Sequence, residues 1–342
     1  MRITAILLLT VWVAAPVALG VVVAALAARS RSAVGVGDVL TDPGTYVRAR
    51  RHAAVVATLA WTTLVAVTLA LPVLVVPLRS SWLGAAPAAA GVLALLVAAV
   101  GEQTWPRPRG AVRRAALVRR TALDVAPRGP VLVTLTWSAA LLGLLVVTSL
   151  TADDDGRSIT LHPDATSSHT SGPYPGLPYA VPTLAAALVL ILTAALTLHL
   201  VAGRPAVPGV SADDDTRLRR ASAQRLLAAV QLVLAGTLGA MLTATGDALR
   251  RASTSRWAVD GVWTTARDAV GSALGWTALT LSLLVGVCGI VLAVVFLVRA
   301  SVTLRPVPSP VVGAAPGPVA TAAPGPAGTA AADPGLPVGP DA

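Results

Sequence analysis

The chain has 342 residues, 55% of them hydrophobic and only 12% charged, with a formal net charge of +10 and a mean hydropathy of +0.75. That balance excludes a soluble globular protein, which cannot hide so much hydrocarbon from water. Every basic residue other than histidine is arginine, so a P-loop lysine and a Schiff-base lysine are both excluded, and with them intrinsic ATPase, PLP and retinal chemistry.

A membrane-crossing helix needs about 20 mostly apolar residues. About seven stretches meet that length: residues 3 to 28, 53 to 77, 82 to 101, 130 to 150, 181 to 202, 226 to 245 and 272 to 298. Barrel strands would alternate in polarity over about 10 residues, whereas Val55 to Val76 is apolar almost throughout. The expected fold is all-α, a polytopic transmembrane helical bundle over residues 1–300. A Pro/Ala/Gly-rich tail over 301–342, with a repeated Ala-Ala-Pro-Gly-Pro string, is expected to be disordered.

The first span has a competing reading as a signal peptide cut near Ala25 to Ala28. Its apolar run of about 25 residues exceeds the 7 to 15 of a signal h-region, and cleavage would turn the arginine-rich loops outward. A retained span is the expectation. Arginines near span ends stay in the cytoplasm. With the N-terminus outside and the C-terminus inside, segments 29–52, 102–129, 203–225 and the tail hold 19 arginines, against 7 on the outer side. The expected location is the plasma membrane. These short basic loops suit anionic inner-leaflet headgroups rather than nucleic acid.

At the inner end of the third span, Glu102 and Trp105 open the most distinctive string, Glu102-Gln-Thr-Trp-Pro-Arg-Pro-Arg109. A carboxylate at a helix C-terminus faces the negative end of the dipole and seeks a cation, here Arg107 or Arg109. Trp105 is expected to anchor at headgroup level. The outer connection from Thr151 to Tyr179 carries Asp153, Asp154, Asp155, His162, Asp164 and His169. These are metal-ligand types, but their spacing matches no metal loop, and a solvated loop is expected. His199, one turn from the end of the fifth span, reads as a hydrogen-bonded packing residue rather than a proton relay.

On the sixth span Gln231, Ala235, Gly239 and Thr243 recur every four residues, a small and polar stripe suited to close helix packing with an interhelical hydrogen bond. Gly271-Ser-Ala-Leu-Gly275 offers a second close approach. Cys288 lies in an apolar run and reads as a small buried residue. No H-E-x-x-H or G-x-S-x-G string occurs, and no catalytic residue, cofactor or metal is assigned.

Gly101-Glu-Gln-Thr-Trp-Pro-Arg-Pro108, followed by Gly110-Ala-Val-Arg-Arg114, resembles a recurrent stretch in uncharacterised multi-pass membrane proteins of actinobacteria. The resemblance covers about residues 100–130 and implies location and topology, with no activity or site. Three functions fit the sequence. The first is a non-catalytic membrane-embedded subunit or scaffold packing against other membrane proteins. The second is a permease for a neutral or lipidic solute using Thr58, Thr62, Thr193 and Thr197. The third is an enzyme acting on a lipid-linked substrate at the outer face.

Overall fold

The computed structural model describes residues 42–75, 80–105, 121–163, 168–259 and 262–304. The expected first span, Arg107 and Arg109, Asp164 and the tail beyond residue 304 lie outside the described residues. In chain order the elements are α1 (Pro43–Val75), a 3-10 turn (Ser80–Ala85), α2 (Ala86–Gln103), α3 (Ala122–Val125) and α4 (Arg128–Thr151). Strands β1 (Ile159–Leu161) and β2 (His169–Ser171) precede α5 (Leu177–Gly203) and α6 (Ala212–Ala252). Strands β3 (Thr254–Val259) and β4 (Val262–Arg267) then lead to α7 (Ala269–Thr303).

Six helices are long and apolar enough to cross a membrane: α1, α2 with its 3-10 entry, α4, α5, α6 and α7. The protein is a helical membrane protein. Each helix covers one of the six later stretches expected from hydropathy, because a backbone in hydrocarbon can satisfy its N–H and C=O groups only within a helix or a closed barrel.

The largest departure is α6. It runs 41 residues, about 62 Å at the helical rise, twice a hydrocarbon core of about 30 Å. Its termini explain the extension. Ser211 caps the first turn by accepting from the Asp214 amide at 3.2 Å, and Asp213, Asp214 and Asp215 sit at the positive end of the dipole. Arg250 and Arg251 occupy the last turn, where the dipole is negative. In its most apolar window 83% of α6 is buried, against 11% for α1. It is the axial helix, and α1, α2, α4, α5 and α7 pack around it.

The closest partner of α6 is α7. A Cβ added at Gly246 would stand 2.7 Å from the Gly275 carbonyl oxygen, so the two backbones touch there. One turn and more toward the other end, Ser282 Oγ donates to the Gly239 carbonyl at 2.7 Å. Further along, a Cβ at Gly289 would meet Ala235 Cβ at 2.7 Å. Small residues on both helices let dispersion and buried hydrogen bonds replace the hydrophobic drive that lipid does not supply. Cys288, by contrast, is exposed on α7 rather than buried.

One end of the bundle carries the arginine-rich helix termini; the other carries two antiparallel hairpins. β1 pairs with β2 from Ile159↔Ser171 to Leu161↔His169. β3 pairs with β4 from Thr254↔Arg267 to Val259↔Val262. The connection expected as a solvated loop is therefore built. Asp153 accepts from the Ser158 and Thr160 hydroxyls at 3.0 and 2.8 Å. Asp155 accepts from the Arg157 and Ser158 amides at 2.8 and 3.0 Å. Gly156, at φ +62°, turns the chain between them. Ile159 and Tyr174 then seat on Ala248, Leu249 and Ala252 at the end of α6.

Two expectations follow. Gly275→Leu forces α6 and α7 apart and lowers stability by about 1–3 kcal/mol, the range for overpacking a filled interior; thermal unfolding in detergent measures it. Gly143→Leu, where an added Cβ meets nothing within 4 Å, leaves the midpoint unchanged. Separately, hydrogen bonds from the Arg157 backbone and the Ser158 side chain hold the Asp155 carboxyl below its ordinary 3.8. A depressed folded pKa stabilises above the unfolded value and is lost as pH falls through the folded one. Amide exchange at Arg157 and Ser158, corrected for intrinsic rates, is therefore constant near neutral pH and accelerates as pH falls into and below the ordinary carboxylate range.

Candidate functional site

The arginine-rich end gathers the termini of α1, α2, α5 and α6. Glu102 lies one residue from the end of α2, is the sole glutamate of the sequence and is 9% exposed. Its partner among the described residues is Arg204, whose Nη1 donates to Oε2 at 3.2 Å; Arg107 and Arg109, the expected partners, lie outside them. Arg204 Nη2 also stands 3.7 Å from Asp215 Oδ1, and Asp215 Oδ2 accepts from Arg219 Nε at 2.8 Å. A chain of alternating charge thus links α2, the residue after α5, and the first turns of α6.

Arg219 does more than pair. Its Nη1 donates to the Val201 and Ala202 carbonyls at 2.9 and 2.8 Å, and its Nη2 to the Arg204 carbonyl at 2.8 Å. Those are among the carbonyls that the end of α5 leaves without intrahelical donors. A planar guanidinium with five N–H groups can serve all of them at once. Burial pushes the Arg204 guanidinium below the ordinary arginine value, while Glu102 and Asp215 pull it back.

Trp105 is 6% exposed, and the Arg204 guanidinium lies 3.9 Å from its ring centroid. It is the floor of the charge cluster and packs inside the protein. His52 meets the Trp105 ring edge-on at 4.8 Å, and its Nε2 lies 3.1 Å from the Gly101 carbonyl, fixing α1 to the end of α2.

Beside this cluster a cleft of about 50 Å³ opens between α1, α2, α5 and α6. Its long walls are alanine: Ala53, Ala57 and Ala60 on one face of α1, Ala94 and Ala98 on one face of α2, and Ala229 on α6. Short side chains on facing helices leave the gap. Trp61 lines it toward the bilayer middle, and Glu102, Ser222 and Arg225 line its polar end. A gap this small is a fraction of the usual ligand-pocket volume and can seat only a short stretch of an apolar chain beside a polar group.

The other singled-out residues lie elsewhere. His199 is exposed on α5, with no hydrogen bond to a described residue, so it is not the expected packing hydrogen bonder. Gln231 is fully buried; its Oε1 accepts from Trp137 Nε1 at 3.2 Å and its Nε2 donates to the Gly289 carbonyl at 3.0 Å. It joins α4, α6 and α7. Gly239 supplies the carbonyl that accepts from both Thr243 at 2.9 Å and Ser282 at 2.7 Å. Of the threonines considered for a solute path, Thr197 alone lines the cleft. Thr58, Thr62, Thr193 and Thr197 each donate to a carbonyl of their own helix. Among the described residues no group of three His, Cys, Asp or Glu stands ready to hold a metal.

Sequence reasoning missed Arg204, Asp215, Arg219 and Arg225. The Asp215 and Arg219 spacing, i to i+4 at the start of a helix, was a readable signal. The Glu102 to Arg204 pair, 102 residues apart, had none.

Glu102→Gln leaves Arg204 short of a buried counter-charge, and the loss expected from breaking such a pair is about 3–5 kcal/mol. Thermal denaturation of Glu102→Gln, Arg204→Met and the combined Glu102→Met/Arg204→Met variant is the check. The double variant is expected to lose less than the two single losses together.

No family model, curated protein or solved structure matches the chain.

Proposed function

We propose that this membrane protein is a non-catalytic, membrane-embedded subunit or scaffold that packs against other membrane proteins. In this reading it lies in the plasma membrane with its N-terminus outside and its C-terminus in the cytoplasm, as the arginine distribution favours. The observation that carries the reading is on α4. Its outward face presents Thr136, Ala139, Ala140 and Gly143, all exposed, and a Cβ at Gly143 would meet no atom within 4 Å. Ala139 and Gly143 stand in the small-xxx-small relation that allows helices to approach closely.

The interior supports the same reading. Glu102, Asp215, Arg204 and Arg219 hold helix ends together, and Gln231, Thr243 and Ser282 hold helices to one another. These groups serve shape, and a shape of fixed outline is what a partner helix recognises.

A photo-crosslinking residue placed at Gly143 is expected to capture a discrete membrane protein in cells, whereas one at Leu281 of α7, also exposed, captures lipid. Gly143→Leu is expected to abolish the association. Lipid adducts alone at both positions, with the purified chain monodisperse, would overturn the reading.

A further inference from the structure

Arg225 lies on α6, on the wall of the alanine cleft. It is part-buried, and its one hydrogen bond to a described residue is long: Nη1 donates to the Ala53 carbonyl at 3.4 Å. No carboxylate stands within ion-pair distance of it among the described residues. Glu102 lines the same end of the cleft but is committed to Arg204 at 3.2 Å. A cation held beside hydrocarbon without a counter-charge is costly, and an anion brought to it is correspondingly favoured.

Two more observations define that anion. The first is shape: from Ala53 to Trp61 the trough runs eight residues along α1, about 12 Å at the helical rise, lined by alanines of α1, α2 and α6 together with Val56, Leu95 and Leu226. A free inorganic anion would leave this length unfilled; a hydrocarbon chain would cover it. The second is depth. Ala53, Glu102, Val201 and Arg225 line the cleft, and each lies at or next to the end of an apolar stretch read from the sequence, the depth at which headgroups are expected.

We propose that the cleft is a specific site for one anionic phospholipid from the leaflet at the arginine-rich end. The headgroup sits against Arg225 and the Ser222 hydroxyl, and one acyl chain lies in the trough toward Trp61. This differs from general attraction of basic loops to a charged surface, because the site takes a single molecule and distinguishes lipids by headgroup and by the fit of the chain.

Native mass spectrometry of the full-length protein, equilibrated with phosphatidylglycerol or with phosphatidylcholine, tests the site. One phosphatidylglycerol per chain is expected to be retained about tenfold more strongly than phosphatidylcholine, the size of effect that one charge-assisted hydrogen bond supplies. Arg225→Gln is expected to reduce that preference to near unity. Arg220→Gln, at an exposed position that does not line the cleft, retains it. Ala98→Leu fills the trough and is expected to lower retention of both lipids, and it decides the matter if Arg225→Gln fails to fold by circular dichroism. Equal retention of the two lipids by the unaltered protein overturns the proposal, as does undiminished preference in a folded Arg225→Gln. Retention of neither lipid, the outcome if another part of the chain or a partner fills the cleft, overturns it as well.

Discussion

One guanidinium sets the geometry of the arginine-rich end. Arg219 reaches from the second turn of α6 to three carbonyls at the end of α5, and this fixes how far α5 extends and where the chain turns after it. Arg204, the next residue, is thereby delivered to Glu102 and Trp105. Without that capping the carbonyls would face a region too dry to hydrate them, and Arg204 would have no defined position. The cleft inherits the arrangement, since its polar end is bounded by the same four helices.

The same economy governs the middle of the bundle. Lipid gives helices no hydrophobic reason to associate, so contact must come from close approach and from hydrogen bonds made away from water. Gln231 uses both ends of its amide, on Trp137 and on Gly289. Ser282 and Thr243 share the Gly239 carbonyl and a 2.7 Å contact with each other. Each polar side chain sits opposite a glycine or beside one, because only there does a carbonyl come near enough.

Much of this architecture was legible in the order of residues. Six of the expected spans fall on helices of the structure over their described residues, since hydropathy over about 20 residues reports directly on what a bilayer accepts. The four-residue recurrence from Gln231 to Thr243 marked the face of α6 that meets α7. What hydropathy could not show was helix continuing beyond the apolar run: α6 begins at a serine cap followed by three aspartates, a signal carried by capping and dipole. The β3–β4 hairpin was also readable, because Asp260-Gly261 separates Val259 from Val262 in the sequence and that dipeptide favours a two-residue hairpin loop. The pairing of Glu102 with Arg204 and the alanine-walled cleft depend on which helices are neighbours, and nothing in one chain's hydropathy states that.

The unbroken length of α6 has a mechanical meaning. From Ala212 to Ala252 it contains no proline, the commonest cause of a sharp bend, and it is clasped along its side by α7. One end carries the charge relay around Arg219; the other supports the seat of Ile159 and Tyr174. The charge relay at Arg219 and the hairpin seat at Ala248 to Ala252 are thus held by one unbroken element whose ends stand about 62 Å apart at the helical rise.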